Sequence, residues 1–233
     1  RLSNAVEPYL RSTQFGFRKR RSTAHAIRVV RRTIEAFFHK SEPEYDLNLL
    51  LLDWSKAFDS VDTLALTDAL KAYGITGGFL KAIQSTFKSE FSVSGQCGFD
   101  NSDHFTQEMG IRQGCPLSPL LFIIMLSWLM EGVDIIYKSK KLNVPVLPIP
   151  DVFYADDTIL LSTNPVDLQT RFTILEDLAA QVGLHMNRDK TVLLLAKVKS
   201  KQTLGKAKSG HNRIVKPFKL QNPDEEGPIQ SVK

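Results

Sequence analysis

The stretch VFYADDTILL, from Val152 to Leu161, sets two adjacent carboxylates, Asp156 and Asp157, between two apolar runs. Val152–Ala155 and Thr158–Leu161 have the composition of short strands, with the acids at the turn between them. Neighbouring carboxylates at the tip of an apolar hairpin repel each other unless a cation lies between them. Alone, the pair reads equally well as a solvated acidic turn or as half of a cation site.

A second acid bears on the choice. Leu47–Leu52 is a near-continuous apolar run that ends in Asp53, the pattern of a strand buried on both faces with a carboxylate at its end. If both segments belong to one sheet, three carboxylates converge across about a hundred residues of chain. Oxygen ligands without nearby His or Cys suit Mg²⁺, with Mn²⁺ as a substitute. Two such ions about 4 Å apart serve in-line attack on a phosphate. Many nucleases and phosphotransferases fit that description as well.

Elsewhere the chain mixes helical and strand periods, which points to an α+β fold with an antiparallel sheet covered by helices. Ser22 is a candidate N-cap for a helix over Ala24–His39. Asp62 caps Thr63–Tyr73, with Leu66, Ala69, Leu70 and Tyr73 facing inward and Gly74 ending the helix. Gly77–Gly78 opens a helix with Phe79, Ile83 and Phe87 on one face. Phe91–Cys97 and His104–Met109 alternate like a hairpin around Gly98–Asp103. Gly110–Pro119 is a Gly/Pro-punctuated loop feeding a helix from about Leu120 to Tyr137. Pro165 starts a helix with Leu168, Phe172, Leu175, Ala179 and Val182 as its apolar stripe. Leu184–Ala196 returns as turn plus strand, and the segment from Lys197 onward reads as a basic, disordered tail.

The 233 residues suffice for one large domain or two small ones. Cys97 and Cys115 make no disulfide framework and no zinc spacing, which favours a reducing, intracellular setting. Arg1–Leu10 lacks the apolar core of a signal peptide. The run Leu117–Met130, broken by Ser118, Pro119 and Ser127, falls short of the roughly 20 residues of a membrane helix; a buried core helix and no membrane contact are expected. Residues 1–40 carry ten Lys/Arg against two acids (+8), and 197–233 nine against three (+6). The total of +5 therefore leaves −9 for residues 41–196. Basic flanks suit nucleic acid, and clustered central acids suit divalent cations.

Five blocks in order, QFGFRKRRST, LLLLDWSKAFDSVD, GIRQGCPLSPLLF, FYADD and GLHMNRDKT, resemble the fingers and palm of reverse transcriptases. The wording is most similar to the non-LTR (LINE-type) retrotransposon and group II intron branch, and the resemblance covers roughly Arg1 to Ala196. It implies a polymerase palm, a ferredoxin-like antiparallel sheet packed on helices. Partial fingers would span 1–46, the palm 47–196 and the tail 197–233.

The resemblance also implies roles. Asp53, Asp156 and Asp157 match the carboxylates that hold two Mg²⁺ ions, and Lys190 matches a lysine near the leaving phosphate. Phe58 matches a steric gate against the ribose 2′-hydroxyl. Gln113 and Gly114 match the nucleotide and template pocket, and Arg18 is expected to face template or triphosphate. The implied activity is RNA-directed DNA polymerisation, with RNA template, DNA primer and dNTPs as partners. Arg20 stands where the family commonly has Gly, and His25 where an acid is common. No thumb, primer grip or upstream fingers block is recognisable, so the chain reads as a truncated catalytic centre whose missing thumb other segments or a partner would supply. The rival reading is a catalytically inactive retrotransposon-derived remnant that binds nucleic acid. Nucleus or cytoplasm is left open.

Overall fold

The computed structural model describes residues 2–39, 46–87, 90–92, 102–107, 109–140, 147–196 and 216–217. The chain begins with helices α1 (Leu2–Val6) and α2 (Thr23–His39), followed by strand β1 (Leu47–Leu52) and the two-residue β2 (Trp54–Ser55). Helices α3 (Ala57–Ser60), α4 (Thr63–Ala72) and α5 (Gly77–Phe87) lead to the short pair β3 (Glu90–Phe91) and β4 (Phe105–Thr106). The long α6 (Ser118–Ser139) precedes β5 (Asp151–Tyr154) and β6 (Asp157–Ser162). Then come α7 (Pro165–Gln181), β7 (His185–Met186), β8 (Val192–Ala196) and β9 (Lys216–Pro217).

The main sheet runs β5-β6-β1-β8-β9, and each neighbouring pair is antiparallel. β1 lies at its centre, which is why its residues are apolar without a break. Successive side chains point to opposite faces, and both faces are covered. Leu50 and Leu52 join Phe153 and Leu160 in the core formed with α4, α6 and α7. Leu47 and Leu49 join Val152, Leu161 and Ala26 of α2 on the opposite face. Each fully buried leucine contributes about 1.5–3 kcal/mol.

α6 is long and apolar enough to cross a membrane by length and composition alone. It is instead the main core helix, with Phe122, Ile123, Ile124 and Met125 fully buried. It starts at Ser118, two residues before the expected Leu120, because Pro119 is accommodated in its first turn. Asp62 caps α4 as expected, accepting the amides of Leu64 (2.6 Å) and Ala65 (2.9 Å), and Asn164, which the sequence reading did not name, caps α7.

Several expectations are corrected. On α5 the buried residues are Leu80 and Ile83, while Phe79 is exposed. The double glycine leaves the rotation of that helix weakly specified by composition. Tyr73 is half-buried beyond the end of α4, with its hydroxyl on Glu131 at 3.0 Å. Asp157 is the first residue of β6; the turn itself is Ala155–Asp156. The expected hairpin survives as Glu90–Phe91 against Phe105–Thr106, and the remainder through Cys97 and Gly98 lies outside the described residues. So does the tail, except that Lys216–Pro217 pairs with β8.

A polar network that the sequence did not foretell ties the N-terminal segment to β5 and α6. Arg11 donates through Nε to Asp151 (2.8 Å) and through Nη1 to Asp134 (2.8 Å), and its Nη2 also pairs with Asp151. Thr13 donates to the same Asp151 carboxylate at 2.6 Å. Beside it, buried Asp167 accepts from Tyr137 and Ser162, and Arg171 lies over the Tyr137 ring. A buried carboxylate is tolerable only when paired. Arg11→Met, which strands Asp151, is expected to cost about 3–5 kcal/mol, seen as a lower urea midpoint at unchanged slope.

Candidate active site

The sheet register brings the distant acids together. Leu52 of β1 faces Thr158 of β6, so Asp53 and Asp157 occupy the next position on their respective strands. They continue the row of Leu49 with Leu161 and Leu51 with Ile159, the face covered by α2. Asp156 sits beside them in the two-residue turn from β5. Trp54 locks the corner by donating its indole N–H to Thr158 at 3.1 Å.

The segment carrying Lys190 reaches the same corner by strand pairing. Trp54 and Ser55 pair with Met186 and His185, and the Asn187 amide donates to the Asp53 carbonyl at 2.8 Å. Lys190 Nζ consequently stands 3.7 Å from Asp53 Oδ2. Both groups are substantially exposed, so this is a weak, solvent-screened pair.

Electrostatics mark the acids as short of positive charge. The Asp157 carboxyl is held above its usual range first by desolvation, then by repulsion from Asp156 and from Asp53. Among the described residues no three His, Cys, Asp or Glu side chains stand in ligating geometry as they are placed. The donor set nevertheless fits a hard divalent ion, because oxygen-only ligands that repel one another are relieved by such a charge. Asp157 also lines a cleft of about 600 Å³ between α2 and the sheet, walled by Ile27, Val30, Tyr154 and Ile159.

Phe58 is half-buried. Its ring stacks on Phe122 (4.8 Å between centroids) and takes the exposed Phe17 edge-on (6.4 Å). It is thus a core ring stacked on Phe122 and flanked by Phe17. The Gln113 loop docks on the turn that presents it: the Gly110 amide donates to Val61 O (2.8 Å) and Ile111 N to Phe58 O (2.7 Å). Only glycine fits there, since a Cβ on Gly110 would lie 2.5 Å from the Asp59 carbonyl oxygen and φ is +84°. Gln113 Nε2 then donates to Asp59 Oδ1 at 3.0 Å. Asp59, in the first turn of α3, is therefore the partner of Gln113. Gly114 follows at φ +84° in the exposed loop.

Arg18 is the correction within the site residues. Its guanidinium donates to Glu7 Oε1, to the Glu7 carbonyl and to the carbonyls of Arg11 and Gln14. A side chain only 4% exposed, with its donors so engaged, braces the loop between α1 and α2 instead of facing template or triphosphate. A run of basic residues does not reveal which member turns inward.

A family model described as reverse transcriptase (RNA-dependent DNA polymerase) matches residues 1–215. The chain is 32% identical over 160 residues to the Retrovirus-related Pol polyprotein from type-2 retrotransposable element R2DM of Drosophila melanogaster, which covers 68% of this chain and 15% of that protein. A Pol polyprotein from type-1 retrotransposable element R2 of Popillia japonica is 27% identical over 174 residues, covering 73% of this chain and 28% of its own length. The chain therefore spans under a third of either relative. Among solved structures, apo telomerase from Candida tropicalis superimposes with a TM-score of 0.64 at 15% identity, over 85% of this chain and 39% of that one. That likeness speaks for the fold, an α+β polymerase palm.

Because the Asp157 carboxyl is raised, the folded state is penalised as pH rises through its folded value and relieved as pH falls below it. In metal-free protein at pH 7, Asp157→Asn is expected to raise the melting temperature by about 1–2 °C. Divalent ions should stabilise the wild type more than this variant, as read by calorimetry with and without Mn²⁺.

Proposed function

Since the chain belongs to the reverse transcriptase (RNA-dependent DNA polymerase) family, of the non-LTR retrotransposon type, we propose that it is the catalytic palm, with partial fingers, of an enzyme extending a DNA primer on an RNA template. The observation that carries this reading is the β1–β6 register, which gives Asp53 and Asp157 adjacent positions with Asp156 beside them.

In this reading Asp53, Asp156 and Asp157 hold two divalent cations, Mg²⁺ with Mn²⁺ as a substitute. Bound there, such ions lower the pKa of a primer 3′-hydroxyl and neutralise charge building on the phosphates. Lys190, 3.7 Å from Asp53, leaves that pair for the β,γ-phosphates of an incoming nucleotide and stabilises or protonates the departing pyrophosphate. Phe58 is fixed against Phe122, and a fixed ring is a better gate than a mobile one. In that position the ring excludes a 2′-hydroxyl and selects dNTPs. Gln113, oriented by Asp59, offers an amide beside Gly114, whose lack of a side chain lets substrate approach the backbone.

Primer extension on RNA and DNA templates with Mg²⁺ tests the reading. The wild type should extend, and Asp156→Asn should reduce the rate by at least about a thousandfold, the scale expected when a principal charge stabiliser is lost. Salt-sensitive RNA binding without extension at any enzyme concentration would favour the inactive remnant instead. Phe58→Ala should admit ribonucleotides with unchanged primer affinity; unaltered sugar selectivity removes the gate assignment. Lys190→Met should lower kcat by about 10²–10³-fold, the scale of one lost electrostatic contact, with the dNTP KM little changed.

A further inference from the structure

The turn that presents Asp156 and Asp157 contains Ala155, whose φ is +57°. That region suits glycine and is uncommon for a residue with a Cβ. Nothing in the turn's own composition explains why alanine is held there. The restraint comes from about 140 residues away in sequence.

Gln14 is 1% exposed, one of the most buried polar side chains in the chain. Its Nε2 donates to the Ala155 carbonyl at 3.2 Å, and its Oε1 accepts the Ala155 amide at 3.1 Å. The same Oε1 accepts the Gly16 amide at 2.8 Å. One side-chain amide thus takes both backbone groups of Ala155, as a neighbouring strand would. The main chain around it is fixed to β5: Phe153 N donates to Thr13 O (2.9 Å) and Phe15 N to Phe153 O (2.8 Å). The approach is close enough that a Cβ on Gly16 would lie 2.1 Å from the Ala155 nitrogen.

We propose that Gln14, seated by Gly16, is a positioning residue for the acidic turn. It holds Ala155 in its left-handed conformation and thereby aims Asp156 and Asp157 at the cation site. It touches neither substrate nor metal. This rests on the cation-binding role proposed above, and the two are separable by experiment. Buried hydrogen bonds that orient metal ligands change metal affinity by about 10–100-fold when removed.

The test uses the whole protein. Gln14→Met keeps the volume and removes both arms, whereas Gln14→Glu keeps the acceptor and loses the donor. Asn164→Ala, which uncaps α7 away from the site, controls for general destabilisation. Gln14→Met is expected to accelerate exchange of the Ala155 amide and to raise the Mn²⁺ dissociation constant about tenfold or more. It should lower kcat comparably while the dNTP KM stays within about twofold, with Gln14→Glu intermediate. Asn164→Ala should lower the melting temperature and leave the Mn²⁺ constant unchanged. Adding Ala155→Gly to Gln14→Met should recover much of the lost Mn²⁺ affinity, because glycine adopts the left-handed backbone without help.

A folded Gln14→Met protein with wild-type Mn²⁺ affinity overturns the proposal, and so does a loss that Ala155→Gly fails to reduce. If Gln14→Met does not fold, Gln14→Glu and Gly16→Ala carry the same measurements. If the wild type binds Mn²⁺ no better than Asp156→Asn, the cation-site reading fails on its own account. Exchange at the Ala155 amide then decides the clamp, supported if faster in Gln14→Met and refuted if unchanged.

Discussion

A one-residue slip between β1 and β6 would send Asp53 and Asp157 to opposite faces of the sheet, because side chains alternate along a strand. Everything at the site depends on that register. It is enforced by burial on both sides: Leu50 and Leu52 belong to the α6 and α7 face, Leu47 and Leu49 to the α2 face. In a strand with one solvated face, a slip can be partly absorbed by polar residues. Here any slip also mismatches two cores at once, so the site inherits its precision from the packing.

The acids themselves oppose this arrangement. Asp157 is desolvated and repelled by both of its neighbours, and Lys190, 3.7 Å from Asp53, is an exposed side chain. Such a cluster stays where it is because the strands around it are anchored elsewhere. Trp54 bridges to Thr158, Asn187 ties the lysine turn to Asp53, and Arg11 fixes the start of β5 through Asp151. Geometry that is electrostatically unfavourable alone and favourable with a divalent ion is the usual condition of a functional site.

Much of the frame was legible because its signals are local. The β1 run ends at the expected residue, Asp62 caps its helix, Pro165 starts α7, and the stripe from Leu168 to Val182 is buried. The acids and Lys190 came from recognisable blocks, and the fold brings them to one corner. What stayed hidden depends on partners far away in sequence. Gln14 is an ordinary amide in a basic loop until Ala155 is seen against it. Asp59 looks like a helix-start residue until the Gln113 loop folds over it. Phe79 misled because the three- and four-residue spacings on a short, glycine-led helix allow two faces, and Leu80 took the inner one.

Charge was the least legible quantity, and the reason bears on nucleic-acid binding. The sum of ten basic residues against two acids in 1–40 suggests a strongly cationic arm. The structure gives the described ones different surroundings. Arg11 is neutralised by Asp151 and Asp134, Arg18 by Glu7, and Arg31 with Arg32 shares Glu35. Arg20 and Arg28 lie exposed on the loop and on α2. Counterion release scales with the cations that reach phosphate, not with the cations in the sequence. Arg11 and Arg18 therefore act as internal braces, and fewer cations of the segment are left to meet a polyanion than the count suggests. A count of lysines and arginines overstates the electrostatic grip of a segment whose guanidinium groups hold the fold together.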